Sequence, residues 1–141
     1  MEINGEHIEN VEEFQYLGSM IICDNNCSKE IRRRISKATG AMANLKRMWN
    51  TKKLKVKNKI KVLTTCVFSV LLYASETQTL KEADKQMLLA FELRCYQRIL
   101  EIHWKDMVRN VDIRKQLGAH ETIIDVIKKH KSRLFRHICT L

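Results

Sequence analysis

Lys29, Arg33 and Lys37 recur at every fourth residue, and Arg32 flanks them. On a helix that spacing stacks the side chains along one face. An Arg fork matches phosphate oxygens bidentately, and Lys adds a mobile point charge. Four or five such contacts give strong, salt-sensitive binding to a polyanion without sequence preference. The cations sit in "EIRRRISKATGAMANLKRMW", Glu30 to Trp49, where Ile31, Ile35, Ala38, Met42, Leu45 and Trp49 form one apolar seam. No acid follows Glu30 in that stretch, although like charges one turn apart repel. A solvated basic face without a partner is the alternative. Trp49 and Phe91 fall on core faces, whereas Tyr16 and Trp104 could stack on a base or sugar as readily as pack in a core.

Other chemistry is poorly served. Asp84, Asp106, Asp112 and Asp125 are scattered among basic residues, with no pair at metal-site spacing, so ion pairing is expected of them. There is no Gly-rich phosphate loop, and no nucleophile stands beside any of the five histidines, His7, His103, His120, His130 and His137. Cys23-x-x-x-Cys27 has usable zinc spacing, but its would-be partner His137-x-Cys139 is too tight for the usual ligand loop. No metal and no cofactor are expected. Cys66 and Cys95 read as small core residues. An odd cysteine count and an acidic start unlike a signal peptide point to reduced thiols inside a cell.

The net charge of +10 over 141 residues is unevenly placed. Residues 1–27 carry −6, residues 28–61 carry +12 and residues 62–141 carry +4. A clustered positive surface suits nucleic acid or an anionic membrane. The most apolar run, "VLTTCVFSVLLYA" at 62–74, is too short for a span of about 20 residues and predicts a buried helix. The seam around Ala38 and Met42 lacks the bulky apolar face of a membrane-surface helix, so no membrane partner is expected.

With no proline and four glycines, the chain should be mainly α, with long helices and short joints. Asn4-Gly5 signals a tight turn, and "FQYLGSMII" at 14–22 reads as a strand, so a β element should open the chain. "CDNNCS" is a turn and helix start, capped by Asn26 or Ser28. Helices are expected at about 28–50, 54–74 and 80–102. The second repeats the seam at Val56, Ile60, Leu63, Val67, Val70 and Ala74, with Lys55, Lys57, Lys59 and Lys61 on its surface half. The third should start from a capping box at Thr79-x-x-Glu82 and bury Leu88, Phe91, Cys95, Ile99 and Ile102. Shorter helices follow at 111–117, ending at Gly118, and at 121–139. The organisation is thus a β-hairpin over 1–27, a basic three-helix bundle over 28–106 and a helical pair over 107–141.

"VEEFQYLGSMI", "EIRRRISKATGAMANLKRMW", "LLYASETQTL", "AFELRCYQRILEIHWKDMVRN" and "HKSRLFRHI", in that order, resemble the region after the catalytic palm in reverse transcriptases of non-LTR, LINE-like retrotransposons. The resemblance spans nearly the whole chain. It implies that Phe14, Tyr16, Leu17 and Gly18 belong to a primer-grip hairpin, and that the helices form a thumb following a template–primer duplex by its backbone. Tyr16, Gly18, Lys29, Arg32, Arg33 and Lys37 are then the nucleic-acid-binding residues. The partners implied are that duplex and an upstream palm, in an intracellular, nuclear setting. The family's Tyr-Ala-Asp-Asp motif and its other metal-binding aspartate lie upstream of this region, so the chain alone should not catalyse polymerisation. Gln78 stands where the family usually has Trp, Glu101 near a usual Gly, and Phe135-Arg136 in place of a Trp-Gly pair. Two rival functions fit less well. A helix-turn-helix around Gly118 would begin its reading helix with Thr122, Ile123 and Ile124, which are too apolar to read bases. A helical interaction module would need another chain for seams that an intrachain pair can satisfy.

Overall fold

The computed structural model describes residues 2–23 and 26–141; Asp24 and Asn25, within the expected turn, lie outside them. Two small antiparallel hairpins open the chain. Strands β1 (Glu2–Ile3) and β2 (Glu6–His7) turn through Asn4 and Gly5, both at positive φ, as the Asn-Gly pair predicts. The expected single strand at 14–22 is instead two, β3 (Glu13–Tyr16) and β4 (Ser19–Ile22). They are divided by Leu17 and Gly18 at φ 47° and 80°. Alternating apolar residues continue through the turn, so the pattern hides the reversal.

The first helix is α1 (Ser28–Asn44), and α2 (Lys46–Asn50) continues it after a bend at Leu45. Cys27 takes the N-cap position, and Asn26 Oδ1 accepts the Ser28 N–H at 3.3 Å. The seam holds: Ile31, Ala38 and Trp49 are buried, and Ile35, Met42 and Leu45 are half-buried against them. The second helix departs from expectation. After α3 (Val56–Val62) comes a π turn, Leu63–Phe68, before α4 (Ser69–Leu71). The wider turn shifts the inward face by one residue. Leu63 and Val67 are therefore buried as predicted, but Phe68 and Leu71 then replace Val70 and Ala74 in the core. Cys66, expected inside, is exposed for the same reason. Lys59, expected on the surface, is 5% exposed and donates to the Trp49 carbonyl at 2.6 Å. That bond fastens α3 to the end of α2.

Helix α5 (Glu82–Leu100) buries Leu88, Phe91, Cys95 and Ile99, with Ile102 half-buried beyond its end. Its cap is not the Thr79–Glu82 box. Asp84 accepts the Lys81 N–H at 3.0 Å and, through the same oxygen, the Ser28 hydroxyl at 3.0 Å. A buried carboxylate thus joins the starts of α1 and α5. With α1 and the α3–α4 segment, α5 completes the three-helix bundle. Helix α6 (Asn110–Leu117) closes on Gly118 at φ 63°, and α7 (Ile123–Cys139) starts from Thr122, whose hydroxyl and N–H bond with Asp125. Glu92, buried on α5, accepts from Arg114 at 2.7 Å, Tyr96 at 3.1 Å and the Ile123 N–H at 3.1 Å. One carboxylate therefore anchors α5, α6 and α7 together, because a buried charge is tolerable only when paired and hydrogen-bonded. The molecule is mainly α with an N-terminal hairpin element.

Candidate nucleic-acid interface

The Leu17–Gly18 turn is where the β element meets the bundle. Both residues adopt left-handed backbone, which a tight hairpin turn requires and which leaves their carbonyls pointing toward α1. Glu30, in the first turn of α1 and 2% exposed, organises the contact. Its carboxylate accepts the Met20 N–H at 3.3 Å, Arg33 Nη1 at 3.2 Å and Arg34 Nε at 2.7 Å. Arg33 Nη1 also donates to the Gly18 carbonyl at 3.0 Å, and Arg34 Nη2 donates to the same oxygen. The Arg34 guanidinium lies 4.5 Å from the centre of the Tyr73 ring, and the Tyr73 hydroxyl donates to the Leu17 carbonyl at 2.5 Å. Both carbonyls of the turn are held by charge-assisted or phenolic donors from two helical segments.

Of the six residues expected to bind nucleic acid, the structure gathers some and reassigns others. Tyr16 is 57% exposed, beside the clamped turn. Gly18 supplies the turn's conformation and the accepting carbonyl. Arg32 and Lys37 are exposed, with no ion pair among the described residues. Lys29 is exposed but pairs with Glu13 on β3. Arg33 is largely occupied by Glu30 and the Gly18 carbonyl, so it supports the hairpin more than it faces solvent. Arg34 is 6% exposed and wholly internal. A count of charges cannot separate Arg32 from Arg34; the presence of Glu30 four residues before Arg34 was the available hint.

Residues 41–73 match the model of a family described as a domain of unknown function (DUF6451). The stretch runs from the second half of α1 through Trp49, Lys59 and the π turn to Tyr73, less than half the chain. No curated protein and no solved structure matches.

Around the clamp, Phe14 pairs with Ile21 and Tyr16 with Ser19, so Phe14, Tyr16 and Ile21 share one face of the hairpin, and all three are exposed. Met20 and Ile22 occupy the opposite face and are half-buried. Ten of the thirteen Lys and Arg residues in 28–61 are exposed; Arg33, Arg34 and Lys59 are the exceptions. Trp104 is 82% exposed but lies in a 3-10 turn (Trp104–Asp106) after α5. Ile123 and Ile124 are buried, so the start of α7 is packed against α5 rather than presented as a reading head. No group of three His, Cys, Asp or Glu side chains is placed to hold a metal among the described residues, and none of their helices is long and apolar enough to cross a membrane.

Proposed function

We propose that this chain is a non-catalytic thumb segment resembling that of a non-LTR retrotransposon reverse transcriptase, and that it grips the backbone of a template–primer duplex. The observation that carries the reading is the clamp. It sets the exposed Tyr16 and the tight Leu17–Gly18 turn rigidly against a helix whose Arg32 and Lys37 remain open to solvent. Such an arrangement offers an aromatic face and separate cations at fixed positions, which suits a ligand recognised by shape and charge. Arg33 and Arg34 then act as positioning residues, and Lys29 contacts phosphate only by exchanging Glu13 for it.

The test is the salt dependence of binding to a primed duplex. Each phosphate contact contributes about 0.9 to the log–log slope on B-form DNA. Replacing Arg32 and Lys37 together with Gln should flatten the slope by about two units while leaving thermal stability within experimental error. An unchanged slope would mean that the cations of α1 are a solvated surface only. Primer extension with magnesium and nucleotides should give no incorporation, since the resemblance places the metal-binding aspartates upstream of this region.

A further inference from the structure

A second feature lies away from the clamp, where α1 bends into α2. The Trp49 indole N–H donates to the Met42 carbonyl at 2.8 Å, which folds the ring back beneath the bend. Between the bend and α5 this leaves a cavity of about 350 Å³. Met42, Trp49, Phe91 and Cys95 form its apolar walls. Lys46, Arg94 and Arg98 line its mouth, all exposed, and no carboxylate lines the cavity. Arg94 and Arg98 stand one turn apart on α5, a repelling pair. Asn50 Oδ1 holds Arg98 at 3.0 Å, and Arg94 lies 5.9 Å from the centre of the Phe91 ring. Glu101 belongs to the neighbouring groove, which shares both arginines.

We propose that this cavity binds a small amphipathic organic anion, with its apolar body against Trp49 and Phe91 and its acidic head between Arg94, Arg98 and Lys46. The volume lies within the range of about 300–1,000 Å³ typical of small-ligand sites, and so does the composition, an apolar lining with a few convergent polar groups. Water is a poor occupant, because the apolar walls offer it few partners. Burial pushes the Cys95 thiol up to about 12, so the wall carries no competing negative charge. Arg32 and Lys37 do not line the cavity, and the site is independent of backbone binding.

Trp49 is a built-in reporter once the exposed Trp104 is changed to Phe. In that background, octanoate should produce a saturable change in Trp49 emission and bind at least about tenfold more tightly than 1-octanol, since charge-assisted contacts strengthen the head's hold. Acetate, the head without a body, should give no saturable change. Arg94→Gln with Arg98→Gln should erase the preference for the anion, and Ala43→Phe at the exposed rim should weaken both ligands. Equal binding of octanoate and octanol, no saturable change, or a retained preference in the double variant would overturn the proposal. If circular dichroism shows that the double variant does not fold, the octanoate–octanol contrast with the arginines intact decides by itself.

Discussion

Glu101 ends α5 in the left-handed region, at φ 57° and ψ 30°. Any residue with a Cβ is strained there, and glycine is not. Glu101→Gly should therefore raise stability by about 0.5–1 kcal/mol, the relief of strain exceeding the extra freedom glycine gives the unfolded chain. Urea denaturation measures this, and a fall in midpoint would count against it. The position was partly legible, because the resemblance leads one to expect glycine close by; hydrophobic spacing is blind to backbone sign. Leu17, at φ 47°, escaped notice for the same reason. Gln78 was noticed as a departure from tryptophan, but the sequence could not say that it is buried with its Nε2 lacking a partner among the described residues. At the putative grip, spacing found the right helix and the wrong arginine: which of three consecutive guanidiniums turns inward depends on where the Gly18 carbonyl lies, a long-range fact.

Among the elements, the β3–β4 hairpin depends most on a few side chains. It is two strands of four residues, too small to be stable alone. Its order should come from the Glu30–Arg33–Arg34 cluster. Arg34→Gln leaves a buried carboxylate short of a partner while Arg33 remains, so a loss of about 2–3 kcal/mol is expected. The Met20 amide should exchange with deuterium much faster in that variant, whereas Arg32→Gln should leave it protected. Equal protection in the two variants would show that the cluster does not hold the hairpin. The three principal helices and the Gly118 stop were readable from period and cap residues. The bend at Leu45 and the π turn were not, since both keep local apolar content while changing which residue comes next on the inner face.

Across the whole molecule, burial and charge oppose each other in a way that pH can expose. Burial pushes the Cys95 thiol from its ordinary value of 9.0 to about 12, and it raises the Tyr96 hydroxyl as well, with Glu92 adding to the effect. Both groups hold their protons more tightly folded than unfolded. Their contribution is thus complete below about pH 9 and is lost as pH rises through 9 to 12. The melting temperature should fall between pH 8 and pH 11, and Cys95→Ala should shrink that fall while lowering stability at pH 8 through the lost packing. A pH-independent melting temperature would contradict the burial of both groups. The global class, mainly α behind a small β element, followed from composition, because a chain with no proline and few glycines has little else to build. The partner remains the part that composition only points toward: a positive surface states the sign of a ligand's charge and leaves its identity to be measured.

The π turn amounts to one residue more than a regular helix would use over the same length. Losing a single codon within 63–68 would restore ordinary helical winding and rotate all that follows by about 100°. Tyr73 would swing off the Leu17 carbonyl, Arg34 would lose the ring beside it, and Ser75–Thr77 would leave its seat against α7. The product would have a more regular helix and an unmoored hairpin, so at this place in the gene a length change is more damaging than most substitutions.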